Sequence, residues 1–70
     1  MYPATERLLG FFTYADLPEN QQVVSRGCCI LAEMIALTFP DGSAEVTDGL
    51  WKLLEAKDCF IRAMVEKRGA

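Results

Sequence analysis

The side chains that could carry chemistry in this 70-residue sequence favour binding over catalysis. The chain has no histidine, the residue that most often transfers protons near neutral pH, and no glycine-rich phosphate loop. Cys28 and Cys29 are possible nucleophiles, but apolar neighbours within a helix raise the pKa of a thiol, and core packing accounts for both. Glu55 and Asp58 lie on one helix face like paired carboxylates, but a solvated helix face is the explanation we favour. We therefore expect a protein that is not an enzyme.

An aromatic segment is the first feature suited to ligand binding. Phe12, Thr13 and Tyr14 follow one another just before a predicted helix. Aromatic rings offer stacking surface, and the first turn of a helix offers free backbone N–H groups. These three residues are therefore candidate ligand contacts.

Arg26 is the second such feature, because it is the only cation in the first long predicted helix. A lone arginine in apolar surroundings needs a partner, since burying an unpaired charge is costly. A carboxylate is one alternative, either Glu19 or Glu33 of the same chain or a carboxylate of another copy. An anionic ligand is the other, and the sequence leaves both open.

Composition excludes several classes of protein. The net charge of −3 provides no basic face for polymeric DNA or RNA. Three cysteines without histidine fit neither a zinc site nor a disulfide framework. The N-terminal residues do not form a secretory signal, and no apolar run is long enough to cross a bilayer. Free thiols are typical of a reducing cytosol, so we expect a cytoplasmic protein without metal, cofactor or membrane partner.

Local patterns predict an all-α chain that forms one domain, residues 1–70. Residues 1–16 are a short N-terminal arm, helical in part, and a first helix covers 17–38. Asp16 is the expected N-cap of that helix, with Glu19 as its capping-box partner.

A turn and a second helix complete the predicted domain. Pro40 and Gly42 mark the turn, and Ser43 caps a second helix over 43–67. A connection this short makes the two helices antiparallel neighbours, so we expect a helical hairpin with an N-terminal arm. The apolar stripe of the second helix has one polar interruption, Lys57.

The apolar character of the first helix predicts self-assembly. Within residues 23–39 the only polar side chains are Ser25, Arg26, Glu33 and Thr38. A helix that is apolar nearly all round must be buried nearly all round. Below roughly 70–80 residues a single core rarely supplies more than about 3–5 kcal/mol without a further staple. Copies of the chain are therefore the expected partners, and Trp51 on the second helix is expected to pack in the core or at the interface.

Several short motifs, in this order and spacing, resemble a known family. They are Phe12-Thr13-Tyr14, Leu17-Pro18, Leu31-Ala32-Glu33, Phe39-Pro40-Asp41, Lys52-Leu53-Leu54-Glu55-Ala56-Lys57-Asp58 and Arg62-Ala63. Together they cover most of the chain and resemble the helical-hairpin domain of phage anti-CBASS and anti-Thoeris proteins.

The resemblance implies a sponge. Members of this family assemble as homo-oligomers, often hexamers, and sequester the messengers of bacterial immunity in the host cytoplasm without cleaving them. Their ligands include cyclic di- and trinucleotides such as cyclic GMP-AMP, and cyclic ADP-ribose derivatives. The ligand tyrosine of the family corresponds to Tyr14, beside Thr13, and its helix cation corresponds to Arg26. Thr13 or Ser25 would supply a hydroxyl donor.

Two positions depart from the family pattern. Ala15 stands where many relatives have histidine, and Trp51 stands where several have arginine, so this chain offers fewer cations to a phosphate. The alternative function is a small homo-oligomeric protein-interaction or regulatory module with no nucleotide ligand.

Overall fold

Every regular element in the described part of the chain is helical. The structure is a computed structural model that describes residues 2–69, with side chains over 2–66; the first and last residues of the predicted domain lie outside this range. Three α-helices, α1 (Pro3–Leu9), α2 (Glu19–Thr38) and α3 (Ala44–Gly69), are present, and a 3₁₀ turn (Gly10–Phe12) follows α1. The predicted all-α class is confirmed.

The start of α2 differs from the prediction. The helix begins at Glu19 after Pro18, and no side chain caps it, so the expectation of an Asp16 N-cap with a capping box is wrong. The proline ring fixes the backbone, and a residue that precedes proline is kept out of the helical region. The carbonyl of Pro18 instead accepts the N–H groups of Gln21 at 2.9 Å and Gln22 at 3.1 Å.

The turn between α2 and α3 follows the predicted chemistry. Gly42 has a φ of 60°, in the left-handed region that glycine adopts without cost, and a Cβ at this position would overlap the side chain of Tyr2. Ser43 Oγ accepts the N–H of Val46 at 3.1 Å. The predicted Ser43 cap is therefore confirmed, and α3 begins one residue later.

The core draws on all three helices and on the 3₁₀ turn. The buried apolar cluster consists of Leu8, Phe12, Ala32, Leu50 and Leu54. Its members come from α1, the turn, α2 and α3, so the N-terminal arm completes the core instead of extending from it.

The fully buried positions of α2 are small residues, and Ile35 packs against the core as a partly buried one. Ser25, Ala32 and Ala36 are its buried positions. Several large apolar side chains of α2 are exposed, and Val23 and Leu37 are each 75% exposed. Within a single chain, the helix predicted to be buried nearly all round is buried on one face only.

The surface of the chain is correspondingly large. Its accessible area is 4970 Å², against roughly 4400 Å² expected for a folded monomer of this mass. The extents of 43 × 19 × 15 Å show an elongated body. Over the described residues, none of the helices has the length and apolarity needed to cross a membrane.

Candidate functional site

The loop over residues 13–18 carries two of the predicted ligand residues and is braced at both ends. Thr13 Oγ1 donates to the carbonyl of Gly10 at 3.3 Å. The carbonyl of Tyr14 accepts the N–H of Leu17 at 3.1 Å, and Gln22 Nε2 donates to the carbonyl of Leu17 at 2.8 Å. These bonds fix the loop between the 3₁₀ turn and the first turn of α2.

Tyr14 and Thr13 lie on this loop with surface available, whereas Phe12 does not. Tyr14 is half-buried and Thr13 is exposed. Phe12 belongs to the core and is 0% exposed, so in this conformation its ring has no surface on which a base could stack. The neighbouring ring of Phe11 is half-exposed and offers the second aromatic surface of the segment.

The Phe11 ring packs beside Trp51 of α3. Their centroids are 6.1 Å apart with planes tilted by 33°, within the range of favourable aromatic pairs. Trp51 keeps 46% of its surface exposed. The two rings form a small aromatic patch. Phe11 lies two residues before the 13–18 loop in sequence, and the exposed part of both rings is available for a further contact.

Arg26 lies on α2 as an exposed residue. Over the described residues the ion pair of the chain joins Lys52 and Asp48, and neither Glu19 nor Glu33 forms one with Arg26. The intrachain partners considered for Arg26 are therefore not realised here. The exposed guanidinium reaches water in the single chain, and a ligand anion and a carboxylate of another copy remain as further partners.

Ser25 is placed differently from Arg26 although it precedes it directly. It is 0% exposed, and its hydroxyl has no hydrogen-bond partner; the same holds for Thr5 of α1. A buried polar group without a partner costs about 1–3 kcal/mol. In this conformation Ser25 presents no hydroxyl to a ligand. Thr13 is exposed, but its hydroxyl proton is donated to the carbonyl of Gly10, so its oxygen is available only as an acceptor.

Lys57 positions the candidate site, a role that its sequence pattern did not predict. It is 6% exposed, its Nζ donates to the carbonyl of Phe11 at 2.6 Å, and it lies 5.7 Å from the centroid of the Phe12 ring. Lys57 thereby ties α3 to the 3₁₀ turn that precedes the loop. Its place as the single polar member of an apolar stripe was the available signal.

The cysteines and acidic groups do not form a reactive centre in the described part of the chain. Burial, and next the carboxylate of Glu33, raise the pKa of the Cys29 thiol, as the apolar helical surroundings predicted. Cys29 Sγ donates to Glu33 Oε1 at 3.6 Å. No group of three or more potential metal ligands occurs among the described residues.

Two surface cavities of the chain are not lined by Arg26. One of about 400 Å³ is apolar and is lined by the C-terminal end of α2 and the start of α3, including Ile35, Phe39 and Val46. Another of about 370 Å³ is lined by residues 2–4 and Arg7. The first contains a carboxylate, Glu45, and no cation, so it is poorly suited to a phosphate.

The predicted ligand-binding side chains line neither of these two cavities. Tyr14 offers a ring, Thr13 a hydroxyl and Arg26 a cation, and one chain does not enclose a ligand among them. We compared the chain with protein-family models, with curated protein sequences and with solved structures, and none of the three comparisons gives a match.

Proposed function

We propose that this protein is a phage anti-defence sponge that binds cyclic nucleotide messengers of bacterial immunity in the host cytoplasm and holds them without cleavage. The observation that carries the proposal is Arg26, an exposed cation without a carboxylate partner among the described residues. The sequence resemblance adds the identity of the ligand class. Cyclic di- and trinucleotides such as cyclic GMP-AMP, and cyclic ADP-ribose derivatives, are the proposed ligands.

The chemistry of a cyclic dinucleotide fits these side chains. The ligand carries two phosphates and two bases, so it requires charge-assisted donors and stacking surfaces. Arg26 supplies the donors, the ring of Tyr14 supplies the stacking surface, and Thr13 supplies a hydroxyl. Two copies related by a two-fold axis present each group twice, which matches the two-fold form of the ligand.

The proposed assembly is a homo-oligomer of antiparallel helical hairpins. α2 and α3 pack on each other and are joined by the short segment 39–43, which supports the hairpin. The exposed apolar side chains of α2 support association between copies. The resemblance favours a hexamer.

The side chains that are present support the proposal of binding without turnover. The chain lacks histidine, and its half-buried Cys29 holds its proton because burial raises the thiol pKa. A protonated thiol is a poor nucleophile toward a phosphodiester, and without histidine the usual general base that activates water is missing. We therefore expect the protein to hold the bound nucleotide unchanged.

An Arg26→Ala variant tests the proposal. Removing a charge-assisted phosphate contact should weaken messenger binding about 10- to 100-fold, as measured by titration calorimetry with cyclic GMP-AMP, a cyclic trinucleotide and cyclic ADP-ribose in turn. Arg62→Ala is the matched control, since Arg62 is an exposed arginine on α3 whose Nη2 contacts Cys59 Sγ at 3.2 Å. The control should bind like the unaltered protein.

Two results would contradict the sponge. If Arg26→Ala unfolds at micromolar protein while Arg62→Ala does not, Arg26 is structural. If heating the complex releases linear nucleotide instead of intact ligand, the protein is a hydrolase.

The alternative is a homo-oligomeric interaction module, favoured by the extent of exposed apolar surface on α2. It predicts an oligomer that binds none of the three nucleotide classes.

A further inference from the structure

One face of α2 carries an exposed apolar seam. Its members are Val23, Gly27, Ile30, Met34 and Leu37, which succeed one another at alternating intervals of four and three residues. All five are exposed, while the buried positions Ser25, Ala32 and Ala36 lie on the opposite side of the helix. We call these five residues the α2 seam.

This spacing is that of a helix that pairs with another helix. Apolar residues that alternate at three and four residues place their side chains along one line of an α-helix, as at the core positions of a coiled coil. Four large apolar side chains of α2 lie on this seam, whereas the fully buried positions of the helix are small. A helix that served only its own core would have the reverse arrangement.

The charges that flank the seam identify its occupant. Arg26 and Glu33 are seven residues apart, so they lie on the same edge of the seam, two turns from each other. One edge therefore carries one positive and one negative charge. When a second copy of the helix runs antiparallel to the first, the positive charge of each edge faces the negative charge of the other.

The pairing has a defined register. In an antiparallel pair about a two-fold axis, placing Arg26 level with the partner's Glu33 also places Glu33 level with the partner's Arg26. The same register places Gly27 two residues, about 3 Å along the axis, from the level of the partner's Ile30, so the two belong to one layer of the seam. Apart from its chain neighbours and the backbone of its own helix, no atom lies within 4 Å of the place where a Cβ of Gly27 would be, so this position is a notch that a large side chain can enter.

The parallel arrangement lacks these matches. There each residue faces its own counterpart, so the notch at Gly27 faces another notch. Arg26 then lies beside the partner's Leu31, which offers no negative charge to pair with it.

We propose that two copies of the chain associate through the α2 seam as an antiparallel pair whose register is set by two reciprocal Arg26–Glu33 ion pairs. The pairing goes beyond the proposed function, because it holds whether or not a nucleotide binds. It is compatible with a phosphate contact, since a guanidinium has five N–H donors and a carboxylate occupies two. Glu33 Oε1 accepts from Cys29, and its second oxygen faces no other protein group among the hydrogen bonds of the described chain.

Charge reversal tests the register. Glu33→Arg places two arginines level with each other at both ends of the pair, and Arg26→Glu does the same with two glutamates. Each single variant should weaken association about 10- to 30-fold, as measured by sedimentation velocity over a dilution series at low salt. The double variant R26E/E33R restores opposite charges and should associate within about threefold of the unaltered protein.

Glu66→Arg is the matched control, because it makes the same change of charge at an exposed position of α3 outside the seam. It should leave association unchanged. Ile30→Asp tests the seam itself: Ile30 is 48% exposed in the single chain, so the helical circular dichroism should persist while the paired species is lost.

Three results would overturn the proposal. They are a double variant as weakly associated as the single variants, a Glu33→Arg variant that associates like Glu66→Arg, and an Ile30→Asp variant of unaltered mass. Nucleotide titration of the double variant is a separate readout. Restored mass with no ligand binding supports the pairing and leaves the sponge to be judged by Arg26→Ala and the nucleotide panel.

Discussion

Lys57 provides the sharpest test of how the N-terminal segment is held in place. It is one of the few buried polar side chains, with 6% exposure, and its Nζ lies 2.6 Å from the carbonyl of Phe11 and 5.7 Å from the centre of the Phe12 ring. These contacts join α3 to the 3₁₀ turn across 46 positions of sequence. Lys57→Met removes the charge and the hydrogen bond and keeps most of the side-chain volume.

The size of the effect follows from these contacts. A hydrogen bond from a charged donor contributes about 1.5–3 kcal/mol, and a desolvated cation–π contact contributes up to about 2 kcal/mol. Removing the charge also removes the cost of its burial. We expect a net loss of about 1–3 kcal/mol, which lowers Tm by roughly 5–20 °C in a domain of this size.

The assay is a thermal melt followed by tryptophan emission. Trp51 is the single tryptophan of the chain and its ring packs on Phe11, 6.1 Å away, so its emission reports the docking of the turn. Lys52→Met is the matched control, because Lys52 forms an exposed ion pair with Asp48 on the same helix, and water screens such a pair so that its loss changes stability little. Equal melting temperatures for the two variants, with unaltered emission, would show that Lys57 does not hold the 3₁₀ turn against α3.

Two further predictions concern the cap and the thiols. Ser43→Ala should lower the free energy of unfolding by about 1 kcal/mol, measured as a shift of the urea midpoint, because it leaves the N–H of Val46 without its partner; an unchanged midpoint would contradict the cap. Iodoacetamide near pH 8 should alkylate the exposed Cys59 before the half-buried Cys29, since burial and then Glu33 raise the pKa of Cys29, and equal rates by peptide mass would contradict this. A raised pKa means that the folded state holds the proton more tightly, so this contribution to stability is present below the ordinary thiol pKa of about 8.5 and is lost as pH rises through the raised value.

The sequence predicted the helices well because their signals are local. The apolar period fixed the extent of α2 and α3 to within about two residues, and the turn chemistry of Gly42 and Ser43 placed the break between them. The error at Asp16 was also local. The capping-box pattern competed with the constraint that Pro18 places on the residue before it, and the proline prevailed.

The candidate site was harder to predict because it depends on contacts between distant segments. The burial of Phe12 and the role of Lys57 arise only when the 3₁₀ turn docks on α3, and no local pattern encodes that contact. Ser25 and Arg26 are neighbours in sequence, yet one is buried and the other exposed, because the small residues of α2 determine which face turns inward. The exposed seam was predicted only as excess apolar character, since its direction depends on that same choice.

Native mass spectrometry of the purified protein, alone and with a mixture of cyclic dinucleotides, cyclic trinucleotides and cyclic ADP-ribose isomers, tests the proposed function most directly. We expect an oligomer with an even number of chains that retains whole-ligand masses, with the intact nucleotide recovered after denaturation. An oligomer that retains none of these nucleotides would contradict the sponge, and a stable monomer would contradict the assembly on which it depends.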